Sequence, residues 1–184
     1  MKLKEHLDIF YRIHNIPENG GIDDKTFEVP LPFFKLILPN FGWRKSKINI
    51  HDIEHILNKQ DTSWKGEIFI ASYEIAAGFW RHFPITIFPF WTMGYGCWNY
   101  PRTVYHGFIK GLNDKGILAL KMNKEDLLEL ELRQLQEIVE NRSKKKSDFK
   151  KVLLFIFSVI NSQIIFLLPA IILIICGLLF LSLY

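Results

Sequence analysis

A chain of 184 residues with a formal net charge of +4 is long enough for one domain, and its charge is unevenly placed. Every Lys, Arg, Asp and Glu lies before Val152, and much of the positive surplus sits in one lysine cluster beside the uncharged tail, so the balance gives no sign of nucleic-acid binding. Cys97 and Cys176 are too few and too far apart for a disulfide framework or a zinc ribbon, which points to a reducing compartment.

From the start of the chain, Met1 to His6 carry no apolar stretch of the signal-peptide kind, so no secretory signal is expected there. Apolar positions at Leu7, Ile9, Phe10, Ile13 and Ile16 predict a short amphipathic helix over 4–16, ended by Pro17-Glu18-Asn19-Gly20-Gly21. Between 22 and 45, Pro30, Pro32 and Pro39 stand among Phe33, Phe34, Phe41 and Trp43, and long regular structure is not expected. The basic loop Arg44-Lys45-Ser46-Lys47 leads into a helix carrying His51 and His55. Asp61-Thr62-Ser63 offers N-caps for a second helix, from about Trp64 to Trp80. Glu67 and Glu74 share one face of it, with the small residues Ala71 and Gly78 beside them to let helices approach.

Residues 79–100 crowd nine aromatics into a segment without charge from Phe83 through Pro101. Pro84, Pro89, Gly94 and Gly96 argue against a regular spanning helix there. Three readings stay open: a membrane-interface surface, the wall of a lipid pocket, or core packing under an irregular loop. Asn123 caps a helix with Asp126 in its first turn, and Leu128, Leu132, Leu135 and Val139 form its apolar stripe, suited to a core or dimer contact. Strand signals are weak throughout, so the expected class is all-α, a compact helical domain with a C-terminal transmembrane tail.

The tail sets the domain plan: 1–143 as the helical domain, 144–151 as a polybasic linker, 152–184 as the anchor. As one helix the 33 uncharged residues would measure roughly 50 Å, against a hydrocarbon thickness of roughly 30 Å. Asn161-Ser162-Gln163 interrupts the run, and 164–184 alone gives one span of about 31 Å. The piece 152–160 would then lie among headgroups or extend the helix. A hairpin bending near Pro169 is the alternative. Five lysines in 144–151 favour the cytoplasmic side and attract anionic lipid.

The chemistry concentrates in His51-Asp52-Ile53-Glu54-His55 and in Glu67, twelve positions later. Two histidines four apart on a helix reach one cation, and a returning helix brings a carboxylate back to them. Two imidazoles with one or two carboxylates suit zinc first and ferrous iron second. Asp52 is read as a ligand or as the partner that orients a histidine tautomer. Glu67 is a ligand or a general base, or simply a first-turn carboxylate on the helix dipole. Glu74, His82 and His106 are read as structural. Arg44, Lys47 or Arg102 could hold a carboxylate or phosphate on a substrate head.

Other signatures do not fit. The zincin motif places Glu where Asp52 stands, and there is no P-loop, dinucleotide fingerprint or nucleophile elbow. The His51-Asp52 doublet invites comparison with HD-domain phosphohydrolases, with His14 and Asp114 in their other metal-binding roles. That reading leaves His55 and Glu67 unexplained.

His51-Asp52-x-x-His55, eleven residues, then Glu67 resembles the signature of the coenzyme Q (ubiquinone) biosynthesis family conventionally numbered four, and the flanking text is similar to its smaller bacterial relatives. The likeness is strong over 48–80 and vague to about 120. It implies a mostly helical, membrane-docked fold that binds a divalent metal through His51, Asp52, His55 and Glu67 and holds a prenyl lipid or quinone precursor in an apolar channel. It further implies ubiquinone synthesis beside other quinone-biosynthesis enzymes, by removing the ring carboxylate of a prenylated precursor or by presenting it, and leaves a homodimer open. The tail at 152–184 departs from that family pattern. Two functions therefore stand side by side: a metal-dependent enzyme with Glu67 moving a proton, and a non-catalytic lipid-presenting scaffold with a structural metal.

Overall fold

Apolar spacing builds the first helix. In the computed structural model, which describes residues 1–30, 35–140 and 147–182, α1 (Leu3–His14) buries Leu3, Leu7, Phe10 and Tyr11 and ends on Asn15 in the left-handed conformation. Ile9 and Ile13, counted by spacing as part of the buried stripe, face outward instead. The proline-rich stretch expected to be irregular forms an antiparallel hairpin, β1 (Thr26–Pro30) and β2 (Lys35–Pro39), with Phe27 opposite Leu38. Pro30 and Pro39 close the strands, where a missing N–H costs little. Phe33 and Phe34 lie outside the described residues, as does the Lys144-Lys145-Lys146 run.

A short turn of helix, α2 (Gly42–Lys45), leads into α3 (Ile48–Leu57), which carries the histidines. Helix α4 (Trp64–Ala77) is capped by Ser63, whose Oγ accepts from the Gly66 amide at 3.3 Å. It ends three residues earlier than expected because Gly78 turns left-handed (φ 105). Ile68, Ile70, Ala71, Tyr73 and Ile75 are buried around its whole circumference, the mark of a central helix.

The aromatic segment is more regular than its prolines and glycines suggest. Pro89 falls in the first turn of α5 (Ile87–Asn99), where its missing N–H has no acceptor to lose. At 13 residues α5 is too short to span a bilayer. Pro101 starts α6 (Pro101–Asn113) in the same way. Gly107 and Gly111 of α6 lie against the Phe69 and Tyr73 carbonyls of α4, closer than a side chain would permit, so the two helices run parallel. Ile68 of α4 meets Gly96 near the far end of α5, which returns antiparallel between them.

The single helix expected from Asn123 breaks in two, α7 (Lys124–Glu129) and α8 (Leu132–Glu140). Asn123 caps the first as expected, accepting from the Asp126 amide at 2.7 Å. The break has a partner: Leu130 is extended, and its carbonyl accepts the Leu3 amide at 2.8 Å, tying the chain start to this point. Leu135 and Val139 then close a core with Leu3, Leu7, Phe10, Ile53 and Leu127. A second core joins Ile68, Ile75, Met93, Val104, Phe108 and Leu112.

The tail is one continuous helix, α9 (Asp148–Ser182), with Pro169 inside it, so the hairpin alternative does not occur among the described residues. It is long and apolar enough to cross a membrane. Its first half is docked on the domain. Phe155 meets the edges of Tyr105 and Phe108, Ser162 is fully buried, and Phe166 packs on Trp91 and Tyr95. A Cβ on Gly94 would stand 2.6 Å from the Ser162 carbonyl oxygen, so only glycine admits this approach. Gln163 donates to the Gly94 carbonyl at 3.0 Å and accepts from the Trp98 indole at 2.8 Å. Asn161-Ser162-Gln163 therefore marks a docking seam rather than a break in the helix.

Candidate metal centre

Between the two cores, α3 and α4 face each other with the histidines on one side and two glutamates on the other. The helical turn places His51 above His55, and their Nε2 atoms stand 3.2 Å apart. Glu67 answers both: Oε2 lies 3.4 Å from His51 Nε2, and Oε1 lies 3.5 Å from His55 Nε2. Ligand atoms about 2.0–2.1 Å from a tetrahedral zinc ion are about 3.3 Å from one another, a spacing close to that of the two Nε2 atoms, and one atom from each of the three residues lies within 4.8 Å of the others. Two imidazole nitrogens facing each other with one carboxylate answering both also make a good donor set for a cation. The residues present fit a divalent metal, and His51, His55 and Glu67 form the group able to hold one among the described residues.

Glu74 completes the arrangement from behind. Its Oε1 lies 2.9 Å from His51 Nδ1, two turns along the same face of α4 from Glu67, and the side chain is buried. A proton held on Nδ1 by this carboxylate leaves the Nε2 lone pair free toward Glu67 and His55. The sequence carried this signal in the seven-residue spacing of Glu67 and Glu74. Glu74 had been read as structural, and the geometry gives it the orienting part.

Charge in the centre is set by burial against neighbours. Burial opposes a charged His51, but Glu74 and Glu67 outweigh it and hold the imidazole well above its ordinary value. Burial likewise opposes ionisation of Glu67, and the hydrogen bonds from His51 and His55 overcome it, keeping the carboxyl well below the usual range. Glu54, unremarked in the sequence, is buried beside Glu74; burial and that second carboxylate push it well up.

Asp52 stands apart from the three clustered side chains. Its Oδ2 accepts from the Tyr11 hydroxyl at 2.9 Å, and the same hydroxyl accepts from Asn49 at 3.0 Å. Burial raises its carboxyl, partly offset by the neighbouring His51 charge and the Tyr11 bond. Of the four motif residues the structure thus gathers three and sets the fourth beside them; His51, Asp52 and Glu67 share one wall, and His55 is buried behind it. His14 is bonded to Thr62 at 3.1 Å and Asp114 is paired with Lys110 at 3.0 Å, so neither joins the cluster.

This wall faces a cleft of about 470 Å³ whose other surfaces are mostly apolar: Phe27, Val29, Trp64, Phe79, Ile85 and Phe88. The open readings of 79–100 divide along the segment. Phe79 and Phe88 line the cleft, Met93 lies in the core, and Phe83 and Trp98 are exposed. Arg44 and Lys47 also line it, Arg44 fixed by Asn40 at 3.0 Å and seated 4.0 Å over the Phe27 ring. Arg102 is exposed on α6 and does not line the cleft, and His106 is exposed beside Tyr105.

These features define the class: a mostly helical domain with a candidate metal centre, joined to a helix able to cross a membrane. No family model matches the chain, and no curated protein or solved structure is similar to it.

Proposed function

We propose that this chain is a membrane-anchored metal protein of ubiquinone-type lipid metabolism, acting on or presenting a prenylated quinone precursor. The observation that carries the reading is the convergence of His51, His55 and Glu67 beside a largely apolar cleft that His51 and Glu67 line, with His55 buried behind them. The donor set of two imidazoles and a carboxylate suits zinc, with ferrous iron second. When bound, the metal would supply Lewis acidity toward an oxygen of the ring substituents.

The protein's own groups take the remaining tasks. Glu74 holds the His51 tautomer, and Asp52 with Tyr11 stiffens the same turn of α3. Glu67, with 35% of its side chain exposed, is open to the cleft and able to carry a proton to or from a substrate held there. Arg44 and Lys47 meet an acidic head, and Phe27, Ile85 and Phe88 line the apolar end for the prenyl chain. The cleft volume is that of a pocket for a ring and the first part of such a chain, not for its full length. Ring decarboxylation is the reaction class this arrangement serves as an enzyme. The five lysines before the tail support the cytoplasmic face for the domain under the positive-inside rule.

Elemental analysis of the detergent-purified protein tests the centre directly. About one metal ion per chain, absent from a folded His51→Ala/His55→Ala double variant, supports it. No metal after reconstitution with zinc and ferrous iron overturns it. Glu67→Gln then separates the two roles. Compared at saturating metal, because Glu67 is also in the donor set, an enzyme loses turnover of a prenylated aromatic acid while keeping its fold, whereas a presenting protein retains lipid binding unchanged.

A further inference from the structure

The helices of the second core can be levelled against one another along the axis of α9. Gln163 meets Gly94 and Trp98, and Phe166 meets Trp91 and Tyr95, so α5 runs antiparallel to α9. Each turn gained along α9 is a turn lost along α5, which puts Ile87 level with about position 170 of α9. The undocked, lipid-suited part of α9 begins just after Phe166. The start of α5 and the turn before it therefore lie about 6 Å beyond that point, on the membrane side.

That turn is apolar and uncovered. Phe83 is 79% exposed, Trp80 53% and Ile87 43%, and no acidic residue occurs between Glu74 and Asp114. Beside it runs a groove of about 390 Å³ lined by Lys45, Lys47, His82, Lys121 and Lys124. The Arg81 guanidinium sits 5.1 Å from the centre of the Trp80 ring. An aromatic tip flanked by cations suits the interface of an anionic leaflet, where Trp rings rest at headgroup depth and lysines gain from the surface potential. A second protein copy would have no reason to share the level of the span, whereas a bilayer crossed by α9 must.

We propose that the turn from Trp80 to Ile87 enters the leaflet that α9 crosses, so that the domain rests on an anionic bilayer at a second point and the Ile85–Phe88 end of the cleft meets lipid. This rests on α9 spanning the bilayer, and the test separates the two. An environment-sensitive dye is attached to single cysteines in the full chain, reconstituted in phosphatidylcholine–phosphatidylglycerol vesicles. The sites are native Cys176 (with Cys97→Ser), Phe83→Cys and Ile13→Cys (both with Cys97→Ser and Cys176→Ser). Ile13 is 68% exposed and neighbours His14, which bonds Thr62 at the opposite end of α4.

The expected result is quenching of the dyes at positions 176 and 83 by spin-labelled lipid, deep and shallow respectively, with loss of iodide quenching at 83. The dye at 13 answers to iodide alone. If 83 behaves like 13 while 176 is quenched by lipid, the second contact is wrong and the anchor stands. If 176 is also unquenched by lipid, the span falls and the proposal with it. Shielding of 83 from both quenchers assigns the patch to a protein partner and equally overturns the proposal.

Discussion

Two of the close helix pairs in this molecule, α3–α4 and α5–α9, meet for opposite reasons. The α3–α4 seam brings together two histidines and three carboxyls, an arrangement that costs free energy unless protons or a cation balance it. The α5–α9 seam contains no charge at all and is held by Gly94, ring faces and one amide shared with an indole. The first seam is placed for chemistry and the second for attachment. A perturbation that reaches one should leave the other largely unchanged, because no side chain is common to both.

The largest expected effect comes from emptying the first seam. With metal at a thousandfold excess over Kd, the wild type gains about 4 kcal/mol of stability from binding, and the His51→Ala/His55→Ala variant gains none. Thermal melts with and without zinc read this difference. Overfilling the second seam comes next. Gly94→Leu should destabilise the docked tail by about 1–3 kcal/mol while metal content stays at the wild-type level, and loss of metal in this variant would break the independence of the two regions. Protease protection of the α5–α9 region and elemental analysis give the two readouts.

Glu74→Gln sharpens the comparison within the first seam. The orienting bond to His51 weakens, and metal affinity should fall about 10–100-fold with the fold intact, measured by competition with a chelating dye. The pH dependence follows from the raised His51 value. Below that value the metal must displace the His51 proton, so affinity climbs with pH, by about tenfold per unit for each proton displaced, and levels off once pH passes it. The climb should continue above the ordinary imidazole value of about 6.5; levelling at that value would mean that Glu74 and Glu67 do not hold the proton. Titration calorimetry in buffers of different ionisation heats counts the proton released. The smallest effect is Trp98→Phe, which removes one exposed hydrogen bond to Gln163 and should cost no more than about 1 kcal/mol.

How far the sequence foretold these regions depends on whether local spacing or distant contact decides each feature. The histidine pair, Glu67 and the Ser63 cap lie within a single helix–turn–helix, and their spacing was sufficient to find them. Glu74 and Glu54 were legible as positions but not as parts of the centre, since their meaning depends on the depth at which α3 and α4 cross. Asp52 was drawn toward Tyr11, forty-one residues earlier, by a contact no local pattern reveals. The break at Leu130 was hidden for the same reason, its partner being Leu3. In the tail, the polar triplet Asn161-Ser162-Gln163 looked like an end to the apolar run, because a sequence does not show that α5 waits to receive it.

The tie between Leu3 and Leu130 also sets an order of events during folding. Helices α4, α5 and α6 are near neighbours along the chain and can associate through short loops, the kind of contact that forms early. The sheath around α3 is different: α1 must find α7 and α8 across more than a hundred residues, a closure that carries a larger entropic cost. The α3–α4 pair is itself a local helix–turn–helix, so His51 and His55 meet Glu67 and Glu74 before that sheath closes. A metal ion arriving during synthesis would find its ligands together on a bare helix pair, and the enclosed site only when the two ends of the domain had joined.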